Sequence, residues 1–459
     1  MTQDTLESKL RKGSGAADML RNSQVGPYIF PVPPEFSNWR DEQEAWRKTA
    51  VLFDQSYHMT DLYLKGPDVL RLLSDLGINS FKGFGRNKAK QFVACNYDGY
   101  VIGDAVLFGL EDDTVNIVGR PPVPNWVEFH ARTGGYAVTV ERDARALVNP
   151  KPRKTYRYQV QGPNALQILA KASGGPLPEI KFFNMGEIRI SGRPVRVLRH
   201  GMSGAPGLEF WGPAEDGPLV KATVLEAGVE FGLKQAGGRA YSTAAAESGW
   251  IPSPMPAIYT GERMKPYREW LQADSFEATA SLGGSFYSDR IEDYYLTPWD
   301  LGYGALVKFD HEFVGREALE KLQHEPHRKK VTLTWNKDDV VKVFASQFEF
   351  SERAKYLEIP ASHYATHPYD AVLQNDRIVG LSTYSAYIAP GRAWISLAMV
   401  EEALSAPGTQ LAVLWGEKDG GSAKPTVERH VQATIRAEVG PWPFAEVART
   451  GYRTRASLE

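Results

Sequence analysis

The sequence predicts an α+β protein with two related halves, followed by a small antiparallel barrel or sandwich. Three observations lead to this fold class. The chain has 459 residues, more than one hydrophobic core usually serves. The strand, turn and helix pattern of residues 62–70 returns at residues 156–164, which indicates duplicated α+β units. Beyond about residue 330, short strands alternate with turn residues, as in all-β domains.

The individual elements follow from local signals along the chain. Pro67 and the Gly162-Pro163-Asn164 turn each follow a strand and open a helix, because proline fits the first helical turn. Apolar and β-branched runs bounded by turn residues predict the strands. Helices are expected near residues 41–49, 67–76, 124–133 and after 164. Strands are expected near residues 51–54, 59–66, 91–95, 105–109, 115–118, 156–161, 329–335, 371–374, 378–384, 395–399 and 410–414.

Composition excludes several classes of protein. The formal net charge of −2 lacks the basic excess of a nucleic-acid-binding protein. The single cysteine, Cys95, excludes an internal disulfide and a multi-cysteine metal site, and the nine histidines show no ligand spacing. No apolar run is long enough to cross a membrane, and the charged N-terminus does not read as a secretory signal. We therefore expect a cytoplasmic, metal-free protein with no nucleic-acid or membrane partner.

The most informative stretch is Arg199-His-Gly-Met-Ser-Gly-Ala-Pro-Gly-Leu-Glu-Phe-Trp-Gly-Pro213. Its glycines and prolines predict a tight turn that delivers a short strand. Glu209 lies on that strand beside two aromatic residues. A carboxylate in this position suits a flat, nitrogen-rich ring that offers two parallel N–H donors. The alternative is a hairpin with a solvated glutamate.

Several motifs together resemble the aminomethyltransferase family, the folate-binding T-protein of glycine cleavage and its relatives. The long segment 302–319 is the most specific, since it ends in Phe313-Val-Gly-Arg-Glu-Ala-Leu319. A closer resemblance, to the tetrahydrofolate-dependent aryl-ether O-demethylases of that family, is carried by Met19-Leu-Arg-Asn-Ser-Gln-Val-Gly26, Glu35-Phe-Ser-Asn-Trp-Arg40, Phe53-Asp-Gln-Ser-Tyr-His58 and Ser248-Gly-Trp-Ile-Pro-Ser-Pro254.

The resemblance implies a T-protein-like fold of three domains. Two interleaved α+β domains would form a folate-binding catalytic region over residues 1–330, around a folate tunnel. Residues 331–459 would form the C-terminal β-barrel. The implied reaction moves the methoxy methyl group of a lignin-derived aromatic acid to N5 of tetrahydrofolate. Syringate is the expected acid, followed by vanillate or 3-O-methylgallate, and the enzyme is expected to be a monomer or small homo-oligomer.

Two other functions remain open at this stage. One is a folate-dependent aminomethyl- or methyltransferase that acts on a small amine or sulfonium compound. Glycine-cleavage members carry two consecutive aspartates where this chain has Gly103-Asp104, which disfavours the aminomethyl reaction. The other is a folate-binding scaffold without turnover, in which Glu209 would matter and Tyr241 would not.

The resemblance also assigns the folate side of the site. Glu209 would accept hydrogen bonds from the pterin, and Trp250 would cover the pterin or aminobenzoyl ring. Val118 and Gln159 would line the pterin pocket, although Gln159 could equally be a surface residue of its strand.

On the aryl-acid side, the central residue is Tyr241, in Gly237-Gly-Arg-Ala-Tyr-Ser242. A departing phenolate needs an acid whose pKa is near 10, which a tyrosine supplies. Arg120 is expected to bind the carboxylate and His58 the 4-hydroxyl group. The alternatives are a core tyrosine, an exposed loop arginine and a structural histidine. Phe30 replaces a tyrosine of the vanillate-type relative and would leave room for a second methoxy group. The remaining expected contacts are Tyr28, Gln55 and Ser285.

Overall fold

The computed structural model describes residues 4–25, 30–145, 151–421, 424 and 426–450. Its helices within these ranges are α1 (Leu6–Lys12), α2 (Ala16–Arg21), α3 (Trp39–Lys48), α4 (Val69–Leu76), α5 (Pro122–Thr133), α6 (Ala165–Ser173), α7 (Gly217–Gly228), α8 (Gly238–Tyr241), α9 (Ala244–Ser248), α10 (Lys265–Trp270), α11 (Phe276–Thr279), α12 (Arg316–Leu322), α13 (Lys337–Ser346) and α14 (Glu446–Thr450).

The strands begin with β1 (Ala50–Asp54), β2 (Thr60–Lys65), β3 (Ala89–Cys95), β4 (Val101–Glu111), β5 (Thr114–Gly119), β6 (Thr139–Asp143), β7 (Thr155–Gln161), β8 (Met185–Ile190), β9 (Arg193–Leu198) and β10 (Gly207–Pro213). They continue with β11 (Leu233–Gln235), β12 (Leu282–Gly283), β13 (Arg328–Trp335), β14 (His367–Pro368), β15 (Asp370–Gln374), β16 (Arg377–Ile388), β17 (Ala393–Glu401), β18 (Gln410–Trp415) and β19 (Ala433–Gly440).

Two sheets form the predicted halves, and the chain interleaves them. One sheet has the strand order β11-β1-β7-β10-β9-β8, and the other has the order β3-β4-β5-β2-β6. The chain enters the first sheet at β1, builds the second with β2 to β6, and returns to the first at β7. The α+β prediction and its two related halves are therefore confirmed.

The repeated strand–turn–helix units have the same backbone requirement. Gly66 follows β2 with a φ of 150°, and Gly162 follows β7 with a φ of 132°. An added Cβ would lie 2.2 Å from the Ala137 carbonyl oxygen at Gly66 and 2.5 Å from that of Thr49 at Gly162. Only glycine tolerates this combination of conformation and close approach. α4 and α6 then begin at Val69 and Ala165.

The C-terminal strands form a closed barrel, which decides between the barrel and the sandwich. Its strand order is β13-β17-β16-β15-β18-β19, and its pairs are antiparallel. Every strand predicted after residue 328 belongs to it, while β19 and α13 were not predicted. β13 already begins at Arg328, and a domain boundary at residues 330/331 stays a prediction.

The C-terminal domain contacts the loop after β12 through a buried ion pair of its own. Lys355 donates to Glu417 over 2.9 Å, and the same carboxylate oxygen accepts from the Gly284 backbone N–H over 3.0 Å. β12 pairs in parallel with β14, which directly follows residues 361–366. No helix in the described ranges has the length and apolarity needed to span a bilayer.

Candidate active site

Two adjoining cavities lie where the two sheets, the 237–252 segment and the barrel meet. The first has a volume of about 450 Å³ and the second about 260 Å³. Both fall near the size range of small-molecule sites. The cavities share a wall made of His58, Met59, Arg120, Met202 and Trp250. A ligand in each could therefore approach the other across this wall.

Glu209 enters the first cavity from the middle of a sheet. It lies on β10, paired with Gln159 of β7 on one side and with Leu198 of β9 on the other. The tight turn predicted before Glu209 is present, and Gly207 in it has a φ of 153°. A Cβ added at Gly207 would lie only 2.0 Å from the carbonyl oxygen of Val160, so no larger residue fits. The turn therefore fixes the register that aims Glu209 at the cavity.

A buried network of ion pairs holds Glu209 in place. Arg157 Nη1 lies 2.6 Å from Glu209 Oε1, and Arg157 Nη2 lies 3.1 Å from Asp61 Oδ1. Arg153 Nη2 reaches the second oxygen of Asp61 over 2.5 Å. Burial opposes the charge of Arg157, but the carboxylates of Asp61 and Glu209 together raise its pKa. Among the described residues no hydrogen bond reaches Glu209 Oε2, so this oxygen is the one a ligand would meet.

Trp250 is held against the first cavity by an acidic residue. Its Nε1–H donates to Asp104 Oδ2 over 3.0 Å, and Gln91 Nε2 donates to the same oxygen over 2.9 Å. Burial raises the pKa of Asp104. Asp104 and Gln91 also line the cavity, together with Val118 and Gln55. Trp250 and Val118 thus line the first cavity, and Trp250 also lines the second. Gln55 was expected on the aryl-acid side but lines only the first cavity, and Asp104 was not selected as a site residue.

An aromatic cluster occupies one end of the second cavity. The Tyr241 hydroxyl lies 2.9 Å from His58 Nε2, and the ring of Phe30 packs 4.7 Å from that of Tyr241 and 5.7 Å from that of His58. Glu42 accepts from the backbone N–H groups of Phe36 and Gly237 over 2.7 and 2.8 Å, which joins the N-terminal segment to the loop before Tyr241. The three predicted aromatic residues are therefore brought together.

The His58 imidazole is neutral at physiological pH. Burial and then the nearby Arg120 guanidinium lower its pKa to about 3. A neutral imidazole has one N–H and one lone pair. Because Nε2 faces Tyr241, His58 can accept from the phenol or donate to its oxygen. The expected contact of His58 with the substrate hydroxyl stays a prediction.

The second cavity is lined by positive charge. Arg120 and Arg145 contribute guanidinium groups, and the described lining includes no aspartate or glutamate. Arg145 also lies over the Phe276 ring, 5.3 Å from its centroid. Arg120 was predicted from its loop position, but no local motif marked Arg145. Such a cavity favours an anionic, aromatic ligand.

Two predicted site residues, Gln159 and Ser285, are not on the cavity walls. Gln159 lies behind the wall, where its Oε1 accepts from Met202 N over 3.2 Å and lies 3.4 Å from Gln55 Nε2. Ser285 belongs to the junction with the barrel, where its hydroxyl donates to Leu414 O and accepts from Ala371 N. The Ser285 hydroxyl thus has partners within the protein, and its expected contact with the substrate stays a prediction. Tyr28 lies outside the described residues.

Other lining residues had no sequence signal or only a weak one. Arg157 is two residues before Gln159 on β7, and the period of two places both on the face toward the cavity. Met59 and Met202 adjoin predicted residues. His363 and Tyr384 come from the barrel, more than 120 residues after Tyr241, and no local pattern links them to it. The described residues contain no group of three or more His, Cys, Asp and Glu side chains arranged for a metal ion.

The chain is similar to known proteins over most of its length. Residues 15–253 match the family described as the GCVT N-terminal domain. Syringate O-demethylase of Sphingobium sp. is 50% identical over 98% of this chain and 97% of its own length. Sesamin methylene transferase of Sinomonas sp. is 29% identical over 93% of both chains.

A solved structure shares the fold. The glycine cleavage aminomethyltransferase T of Bartonella henselae superposes with a TM-score of 0.61, at 17% identity, over 97% of this chain and 99% of that chain. The family match and the 50% identical relative go beyond a shared fold and confirm the predicted family. The chain therefore belongs to the aminomethyltransferase family defined by the GCVT N-terminal domain, and it is a homologue of syringate O-demethylase.

Proposed function

We propose that this protein transfers the methoxy methyl group of an aromatic acid to tetrahydrofolate, with syringate as the preferred acid, followed by vanillate or 3-O-methylgallate. One observation carries the proposal: a cavity with a buried carboxylate adjoins a second cavity that holds a tyrosine–histidine pair and two arginines. The relative of 50% identity, named for syringate O-demethylation, supports the same reaction.

The first cavity suits tetrahydrofolate. Glu209 Oε2 would accept from the pterin 2-amino and N3–H groups, while Oε1 of the same carboxylate forms the ion pair with Arg157. Val118 and Trp250 offer apolar contact to the flat rings, and Gln159 supports the wall through Gln55 and Met202. Bound tetrahydrofolate supplies N5 as the nucleophile that accepts the methyl group.

The second cavity suits the aryl acid. Arg120, with Arg145 nearby, binds the carboxylate, because a guanidinium forms paired hydrogen bonds with it. Phe30 packs against the ring region beside Tyr241. A cationic amine or sulfonium substrate would be repelled by the two arginines, so the geometry favours the aryl acid over this alternative.

Tyr241 acts as the general acid in this scheme. The methyl carbon forms a bond to nitrogen as its bond to the ether oxygen breaks, and the phenolate oxygen takes the Tyr241 proton. His58, neutral at Nε2–H, donates to the tyrosinate that results, which stabilises the negative charge of this buried oxygen. The excess proton on the methylated nitrogen balances the proton that Tyr241 gives up.

Anaerobic incubation of the purified protein with tetrahydrofolate and syringate tests the proposal, with vanillate and 3-O-methylgallate in parallel. Chromatography should show 5-methyltetrahydrofolate and the demethylated phenol in equal amounts, with syringate turned over fastest. Folate binding without loss of a methyl group from any of the three acids would exclude the aryl-ether reaction. The same assay with a methylated amine or sulfonium compound would then test the alternative.

A further inference from the structure

We propose that His363 of the C-terminal domain binds the 4-hydroxyl group of the aryl acid and so contributes to substrate recognition in the second cavity. The inference rests on the proposed function and adds a residue to it. His363 lines this cavity together with Tyr384 and Thr366. None of these three residues comes from the region that carries the family match.

An unmet hydrogen-bonding requirement marks His363. Its Nε2 is buried, and among the described residues it has no hydrogen-bond partner. A desolvated nitrogen without a partner costs free energy on the order of one hydrogen bond. A ligand that supplied the partner from the cavity would recover that free energy. His58, the other histidine of this cavity, already has its Nε2 against Tyr241.

The backbone around His363 is held on both sides. Before it, Ala361 forms a bridge with Ala386 of β16, and Ser362 N donates to Ser385 O over 3.2 Å. After it, Thr366 and Ser281 exchange backbone-to-hydroxyl hydrogen bonds of 3.0 and 3.2 Å. The His363 side chain is therefore preorganised for binding, because a short segment anchored at both ends loses little conformational entropy when a ligand binds.

The chemistry of the ring substituents selects the hydroxyl group. Tyr241 serves the reacting ether oxygen and the arginines serve the carboxylate, which leaves the hydroxyl and the second methoxy group. Burial and Arg120 lower the pKa of His363 to about 4, so its imidazole is neutral. A hydroxyl can either donate to or accept from a neutral imidazole nitrogen, whereas a methoxy oxygen can only accept. The hydroxyl group satisfies Nε2 in either tautomer.

Binding of two matched acids tests the inference. Syringate carries the 4-hydroxyl group, and 3,5-dimethoxybenzoate lacks it but keeps the carboxylate and both methoxy groups. We expect His363→Ala to weaken syringate binding about tenfold, by calorimetry on the protein without tetrahydrofolate so that no methyl transfer occurs, and to change 3,5-dimethoxybenzoate binding by less than about twofold. His363→Gln, which keeps a hydrogen-bonding group near the Nε2 position, should restore most of the loss.

Controls separate this inference from the proposed function. His324→Ala, at an exposed position, should leave both affinities unchanged, and melting temperatures should show that each variant is folded. Equal losses for the two acids, or no loss for syringate, would overturn the role of His363. Wild-type protein that binds neither acid would overturn it together with the proposed function. If the wild-type protein binds the acids without methyl transfer, only the reaction is excluded, and the affinities still decide on His363.

Discussion

The Tyr241 hydroxyl and the His58 imidazole are the smallest unit of the site, joined over 2.9 Å. We predict that Tyr241→Phe lowers the single-turnover rate of methyl transfer by about 10²-fold or more, the usual contribution of a positioned acid. Dissociation constants for tetrahydrofolate and syringate should stay within about threefold, because the ring and its packing remain. A rate loss below about fivefold would contradict the assignment.

Glu209 joins ligand binding to folding. We predict that Glu209→Gln weakens tetrahydrofolate binding by about tenfold or more, since the charge-assisted hydrogen bonds are lost. The free energy of unfolding should fall by roughly 1–3 kcal/mol, less than is typical of a broken buried pair, because Asp61 still neutralises Arg157. Urea unfolding and calorimetry measure the two effects. Glu187→Gln, exposed on β8, is the matched control and should change neither.

Phe30 is expected to determine which acid is preferred. Its ring lies 4.7 Å from the Tyr241 ring and lines the second cavity. Phe30→Tyr adds a hydroxyl where a second methoxy group would lie. Because the added polar group would crowd the methoxy group, the ratio of kcat/KM for syringate to kcat/KM for vanillate should fall by about tenfold. An unchanged ratio would show that the second methoxy group lies elsewhere.

At the scale of elements, the β10 strand depends on the turn before it. Because a Cβ at Gly207 would lie 2.0 Å from Val160 O, Gly207→Ala must displace β10 from β7. We predict loss of tetrahydrofolate binding and a drop in stability of about 3 kcal/mol or more, measured by calorimetry and urea unfolding. Gly175→Ala, where nothing lies within 4 Å of the new Cβ, should be close to neutral. Retained folate affinity in Gly207→Ala would contradict the role of the turn.

Elements with a strong local pattern were predictable, and contacts between distant elements were not. β10 and its turn follow from the glycines and prolines around Glu209, and β1 and β7 from their apolar runs. β19 alternates buried and exposed residues but carries Arg436 and Glu438 on its outer face, which weakens its hydrophobic signal. His363 and Arg145 reach the second cavity only through tertiary packing. Ser285 was selected by resemblance alone, and its hydroxyl is used within the protein.

For the whole molecule, buried histidines make stability depend on pH. Burial lowers the pKa of His130, His363 and His367 to about 4, and burial with Arg120 lowers that of His58 to about 3. Their ordinary value is 6.5, so below it the unfolded chain binds more protons than the folded one. Stability is therefore present above pH 6.5 and lost as the pH falls toward 4. Asp370, with its pKa raised to about 6 by burial, opposes this below pH 6.

A single variant measures one part of this dependence. His130 packs with its ring centroid 4.2 Å from that of Trp126, and phenylalanine preserves an aromatic ring there. We predict that His130→Phe reduces the slope of unfolding free energy against pH, between pH 6 and 5, by up to about 1.4 kcal/mol per pH unit. Urea unfolding at half-unit pH intervals gives the slope. A slope equal to that of the wild-type protein would mean that His130 is protonated in the folded state.

The wall shared by the two cavities has a consequence for how the reactants are held. Five side chains face both ligands, so occupation of one cavity constrains the other. By thermodynamic linkage, if tetrahydrofolate changes the affinity for the aryl acid by some factor, the acid changes the affinity for tetrahydrofolate by the same factor. We expect this factor to favour joint occupancy, because side chains ordered by the first ligand need no further ordering for the second. Without an aryl acid, the enzyme would then bind tetrahydrofolate more weakly and would sequester little of the cell's supply.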